Sequence, residues 1–284
     1  MTRKFVSVGI SLLLLSGCGL LDNPSQPEVP DNVVNYVALG ASDTIGWGGS
    51  DPCAPFVTCL TGTGYVQRVA QRFQSTGKTV SLINFGVPGA VLSPDVQAMG
   101  NSIGLGIERN LLTDESSYPP RDTTLVTVFI GANDVNTIGS LLNAGRGGSD
   151  PGGFIQTQIQ SFGNDLKTMV SNIRSKTETA RIIQLNLPNM GAMPYAAGRS
   201  VDERRTLQQI AVGFSAKINA LASSGVIVLD LMCDGNFYNP AIFSSDGFHP
   251  NDTGYAYLAD LVYAAATTGA APAPKAACSQ MTIY

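Results

Sequence analysis

Five short runs rich in valine, isoleucine and leucine, each closed by glycine, proline or polar residues, constrain this chain more than any other feature. They fall at Asn35 to Gly40, Val80 to Phe85, Leu125 to Ile130, Ile182 to Leu187 and Val226 to Leu231. Runs this short fit strands buried on both faces. Between them lie stretches with helical spacing, Tyr65 to Gln74, Phe154 to Arg174 and Val201 to Leu221, and Gly254 to Ala266 follows the last strand. Strands that alternate with helices pair in parallel and need helices on both faces of the sheet. The expected fold is a three-layer α/β/α sandwich around a central, mainly parallel five-stranded sheet. Residues 34–284 form one domain with a C-terminal tail, long enough for a full core. Two glycine-rich stretches, Asn101 to Asp122 and Thr137 to Gly153, read as long loops above the sheet.

The N-terminus reads differently. Met1-Thr2-Arg3-Lys4 is positive, Phe5 to Leu15 is apolar but too short to span a bilayer comfortably, and Ser16-Gly17 precede Cys18. This pattern is an export signal, and it resembles a bacterial lipoprotein signal. The resemblance implies that residues 1–17 are removed and that Cys18 becomes the acylated first residue. Residues 18–33, with Pro24, Pro27 and Pro30, would then form a tether to a bacterial membrane, at the periplasmic face of the outer membrane or at the cell surface. An excess of acids, 21 against 17 basic residues, without basic clusters argues against nucleic acid as a partner.

The cysteine count agrees with export. With Cys18 assigned to lipid, Cys53, Cys59, Cys233 and Cys278 remain, an even number for an oxidising compartment with three possible pairings. Cys53 and Cys59 bracket a short proline-containing loop, which favours their pairing and leaves Cys233 with Cys278, a bond that would tie down the tail from Thr267 to Lys275. Zinc is a weak rival, because no close cysteine pairs occur and the only histidine has another use.

That histidine, His249, lies in Asp246-Gly247-Phe248-His249-Pro250, three residues after an acid. In a parallel sheet, ligands bind at the carboxyl ends of the strands. The ends here offer Gly40-Ala41-Ser42-Asp43, then Asn84-Phe85-Gly86-Val87-Pro88-Gly89, then Gly131-Ala132-Asn133-Asp134. Ser42 is a candidate nucleophile, His249 its base and Asp246 the group that orients the imidazole. The amides of Ser42 and Gly86 and the side chain of Asn133 are candidate donors to a developing oxyanion. Each residue alone has an ordinary structural reading, Gly86 as a turn glycine, Asn133 as a helix cap, Asp246 as a turn acid. Together they form an acyl-transfer set. Asp134, Asp234 and Asp252 read as turn or cap acids outside it.

The four blocks, in this order, resemble the SGNH hydrolases, also called the GDSL esterases and lipases. The resemblance covers about residues 34 to 266 and implies a flavodoxin-like sandwich. It further implies a Ser42–His249–Asp246 triad, an oxyanion hole from Ser42, Gly86 and Asn133, and no metal or organic cofactor. One departure is that Ala41 stands where the family has its eponymous aspartate. The expected activity is hydrolysis of carboxylic esters by a monomer at a membrane surface. Small, flexible insertions such as Asn143-Ala144-Gly145-Arg146-Gly147 favour short or medium acyl chains over long ones. Lysophospholipids, acetylated polysaccharides and, in a different class, a non-catalytic binding role are the competing expectations. Trp47, just past the nucleophile, reads either as a pocket wall or as core.

Overall fold

The computed structural model describes residues 32–55, 57, 59–114 and 119–284. The signal and lipidation site expected around Cys18 lie outside the described residues. All five apolar runs are strands: β1 Val33–Gly40, β2 Thr79–Gly86, β3 Leu125–Phe129, β4 Arg181–Leu185 and β5 Ile227–Leu229. They form one all-parallel sheet in the order β2-β1-β3-β4-β5. Every residue of β3, β4 and β5 is buried, as expected for a sheet covered on both faces.

The helices are α1 Ser42–Ile45, α2 Tyr65–Ser75, α3 Pro94–Ser102, α4 Leu111–Asp114, α5 Ala132–Asn143, α6 Pro151–Lys176, α7 Val201–Asn219 and α8 Asp252–Thr268. α2 packs on α8, while α7 packs on both α5 and α6 and α3 packs on α5. Right-handed crossovers put the first pair and the second group on opposite faces of the sheet. The direction of winding reverses between β1 and β3, which opens a crevice at their carboxyl ends.

The structure corrects two expected loops. Most of Thr137–Gly153 is helical: α5 runs to Asn143, and Asp150 caps α6 by accepting from the Gly153 amide at 2.8 Å. Val135, Ile138 and Leu141 recur at helical spacing and are fully buried, and this core contact outweighs the glycines around them. Asn101–Asp122 holds the end of α3 and all of α4. The start of α3 carries a standard signal, Ser93 accepting from the Asp95 and Val96 amides with Pro94 in the first turn. β5 is shorter than the apolar run Val226 to Leu231 because Asn186 Oδ1 captures the Leu231 and Met232 amides at 2.6 and 3.0 Å, ending the ladder.

Both favoured disulfides, Cys53–Cys59 and Cys233–Cys278, are present. The second fastens the tail beside the β5 edge, where the Lys275 amide also donates to Asp230 at 2.8 Å. Among the described residues, no helix is long and apolar enough to cross a membrane.

Candidate active site

Ser42 opens α1 two residues after β1 ends, and is only 5% exposed. As the first residue of a one-turn helix, its N–H has no intrahelical acceptor. The following loop folds directly onto His249. Gly48 has φ +93°, and a Cβ there would lie 2.7 Å from His249 Cβ, so no larger residue fits without moving the imidazole. Tyr255, on α8, holds this loop by donating its hydroxyl to the Trp47 carbonyl at 2.5 Å. The Trp47 side chain is half exposed, so it is not core.

His249 sits in a tight loop just before α8. Ser244 N donates to the His249 carbonyl at 2.8 Å, and Asn251 caps α8 while gripping the Ala241 and Phe243 carbonyls. Asp246 Oδ1 accepts from Ser244 Oγ and from the amides of Phe248 and His249 at 2.8 to 2.9 Å, and Oδ2 lies 2.6 Å from His249 Nδ1. Burial pushes this carboxyl toward its neutral form. The hydrogen bonds from the imidazole, the two amides and the Ser244 hydroxyl outweigh it and hold the pKa at about 2. A carboxylate has no proton to give, so Nδ1–H must donate to it, leaving the Nε2 lone pair as acceptor. Ser42 Oγ is 2.8 Å from Nε2, so its hydroxyl donates to the ring.

The expected oxyanion donors divide. Asn133 is not a helix cap; Gly131 occupies that position without a side-chain bond. Asn133 Nδ2 gives one hydrogen to the Ala90 carbonyl at 2.9 Å, and among the described residues the amide's second hydrogen stays free. Gly86 does not fit the role given to it. Its N–H donates to Asn84 Oδ1 at 2.9 Å, while Asn84 Nδ2 donates to the Thr44 carbonyl at 2.8 Å, so this block braces the nucleophile turn from below. Gly86 is a glycine for space: a Cβ there would come within 2.8 to 3.0 Å of Ile45, Thr44 and the Ala41 carbonyl.

Among the described residues, the Gly89 amide on this loop donates to no acceptor, which makes it a donor absent from the set expected on sequence grounds. Ala90 N bonds the Val87 carbonyl at 3.1 Å, closing a β-turn with Pro88 and Gly89 at its centre and Gly89 at φ +78°. That is a type II turn, in which the third residue's N–H is left unpaired. The Pro-Gly dipeptide is the sequence signal for it. Asn133 and its neighbour Asp134 both hold this segment. Asp134, fully buried, takes the Leu92 amide on both carboxyl oxygens at 3.0 Å, so it is a clamp between loops and not a simple turn acid. Burial raises its pKa to about 7 against the pull of the Leu92, Asp134 and Ser93 amides. Asp234 does cap a 3₁₀ turn, and Asp252 lies in the first turn of α8, holding Ser50. Among the described residues, no group of acids, histidines and cysteines could hold a metal ion.

The structure thus gathers Ser42, His249, Asp246, Asn133 and Gly89 at the carboxyl ends of the strands, with Gly86 beneath them. Solved structures of the same fold include a lipase from a goat rumen metagenome, at 21% identity and TM-score 0.57, covering 82% of this chain and 98% of that one. An extracellular lipase from Streptomyces rimosus matches at 20% identity and TM-score 0.51, over 82% and 100%. An acetyl xylan esterase from Geobacillus stearothermophilus matches at 15% and 0.50, over 89% and 100%. No curated protein matches the chain. The sequence profile of the GDSL-like lipase/acylhydrolase family matches residues 38–257, a span that runs from β1 through the histidine loop into α8. The chain belongs to the GDSL-like lipase/acylhydrolase family.

Proposed function

We propose that this hydrolase is a serine esterase that cleaves carboxylic esters through an acyl-enzyme. The observation that carries the reading is the unbroken relay from Ser42 Oγ to His249 Nε2 and from Nδ1 to Asp246, at 2.8 and 2.6 Å. Ser42 Oγ attacks the ester carbonyl while His249 Nε2 takes its proton. The oxyanion that forms is held by the amides of Ser42 and Gly89 and the free Asn133 hydrogen. His249, now cationic and paired with Asp246, returns the proton to the departing alcohol oxygen, leaving the acyl group on Ser42. Water then attacks the acyl-enzyme, its proton passing to Nε2 and on to Ser42 Oγ as the acid leaves.

Short or medium acyl chains suit the site best. The loop at residues 144–150 carries no bulky apolar side chain, and Arg146 is fastened across to Ser102 Oγ at 2.7 Å. The lipoprotein-type N-terminus supports action at a bacterial membrane surface, with Cys18 as anchor. The test is labelling by a fluorophosphonate probe beside hydrolysis of p-nitrophenyl esters of rising chain length, acetylated xylan and lysophosphatidylcholine. Labelling lost in Ser42→Ala, with activity falling as the acyl chain lengthens, is the expected result. An intact fold that takes no probe would instead mark a non-catalytic binding module. Release of palmitate from Cys18-bearing protein expressed with labelled lipid, and its absence in Cys18→Ala, checks the anchor.

A further inference from the structure

Ser42 and His249 stand 207 residues apart in the chain, and the backbone that follows Ser42 forms the wall behind the imidazole. Trp47 N donates to the Ser42 carbonyl at 3.1 Å and Gly49 N to the Gly46 carbonyl at 3.0 Å, so this loop winds back on itself. A Cβ on Gly48 would come within 2.7 to 3.2 Å of His249 Cβ, the Pro250 carbonyl and Ser244 Oγ, so the loop lies directly against the histidine loop. Its far end is tied to the first turn of α8, the helix that starts three residues after His249. Ser50 N donates to Asp252 Oδ1 at 2.8 Å, and Ser50 Oγ donates to Oδ2 at 2.6 Å. Gly49 passes so close that a Cβ there would lie 2.7 Å from Thr63 Oγ1 and 3.1 Å from Asp252 Oδ1. The hydroxyl and amide of Ser50, and then the Thr63 hydroxyl, hold the Asp252 carboxyl below its ordinary range. These contacts close a ring that runs from Ser42 along the loop to Ser50, across to Asp252, back along the chain to His249, and through the 2.8 Å bond from Ser42 Oγ to Nε2.

We propose that Asp252 is a positioning residue: by holding Ser50 it keeps the Gly48 backbone against His249 and so sets the Ser42–His249 contact through which the proton moves. The proposal deepens the serine-esterase reading and rests on it. Asp246 grips the imidazole at Nδ1 and decides its tautomer, whereas Asp252 fixes the backbone behind Cβ and decides where the ring stands relative to Ser42. Tyr255 adds a second hold on the same loop from the same helix, through the Trp47 carbonyl. An acid in the first turn of a helix also favours the positive end of the helix dipole. That role needs only the charge, while positioning needs the two bonds to Ser50.

Asp252→Asn separates the two roles. Its Oδ1 still accepts from the Ser50 amide and its Nδ2 donates to Ser50 Oγ, so the link survives without the charge. Asp252→Ala cuts the link, and Ser50→Ala removes its side-chain half. The measurements are kcat/KM on p-nitrophenyl acetate and the rate constant of fluorophosphonate labelling, both of which need an activated Ser42, with urea unfolding to confirm that each variant is folded under assay conditions. Asp252→Ala should lower both rate constants by about 10- to 100-fold, the cost of a misplacement on the order of 1 Å, and Asp252→Asn should restore most of that loss. Ser50→Ala should lower them by a smaller factor, and adding it to Asp252→Ala should cause no further loss, because both substitutions cut one link. Wild-type rate constants in folded Asp252→Ala overturn the proposal. So does an Asp252→Asn variant as slow as Asp252→Ala, which would assign the effect to the charge. If Asp252→Ala does not fold, Ser50→Ala decides at an exposed residue, and an unchanged rate there overturns the proposal. A wild-type protein that neither cleaves the ester nor takes the probe would instead bring down the esterase reading itself.

Discussion

Asp134→Asn removes one ionisable group from the core with little change of shape, and its effect on stability should depend on pH in a defined direction. The carboxyl is fully buried and its pKa is held at about 7, above its ordinary value of 3.8. The folded protein therefore binds this proton more tightly than the unfolded chain. The stabilisation it brings is complete below about pH 4, shrinks as pH rises, and is gone above about pH 7. Every tenfold difference in proton affinity is worth about 1.4 kcal/mol, so the full effect is on the order of 4 kcal/mol, and partial relaxation around the ion would leave roughly 2 to 4. The assay is urea unfolding of wild type and Asp134→Asn, disulfides intact, at intervals from pH 4 to pH 8. Taking the difference between the two cancels the titrating groups that do not interact with Asp134; Asp165, whose charge helps to raise the Asp134 pKa, is coupled to it and contributes to the same difference. Wild-type stability minus variant stability should fall by that amount across the window. A difference that stays flat, or rises with pH, would refute the burial argument.

Asp246→Asn should keep the fold and lower kcat on p-nitrophenyl acetate by about 10³- to 10⁴-fold, because the amide cannot hold the imidazole in the required tautomer. Asn133→Ala should lower kcat about 10²- to 10³-fold with little change in KM, whereas Gly86→Ala should act on stability, lowering it by about 1 to 3 kcal/mol through the clash with Ile45 and Thr44. Replacing both Cys233 and Cys278 by serine should cost up to about 4 kcal/mol in urea unfolding and free the tail, with esterase activity of the folded fraction preserved.

The sheet is readable because each strand is buried on both faces, and burial writes itself into sequence as consecutive apolar residues. β3 and β4, wholly inside, fall within one or two residues of the runs that announce them. Glycine content is a poorer guide to loops. In α5 the buried triplet Val135, Ile138 and Leu141 has helical spacing, but Gly139 and the glycines from 145 onward hide it. β5 stops short of its apolar run for a different reason: what ends it is Asn186, a residue on another strand's exit, and no local pattern reports that.

The site divides along similar lines. In the proposed mechanism Ser42, Asn133, Asp246 and His249 act through side chains at strand ends, so residue type and position identify them. A backbone donor has no residue type, and only turn chemistry tells which amide is free. Asn84 bonds the amide two residues ahead, a habit of asparagine, and Pro88-Gly89 leaves the middle amide of its turn unpaired. Both signals are local, so exchanging Gly86 for Gly89 lies within reach of the sequence. The state of Asp43 and Asp134 does not. Asp134 meets Leu92 across 42 residues of chain, and Asp43 is isolated by rings from β3 and from the loops before α8. In sequence both are turn acids beside a candidate catalytic residue. Distant packing decides whether such an acid is solvated or clamped, and no local motif encodes that packing.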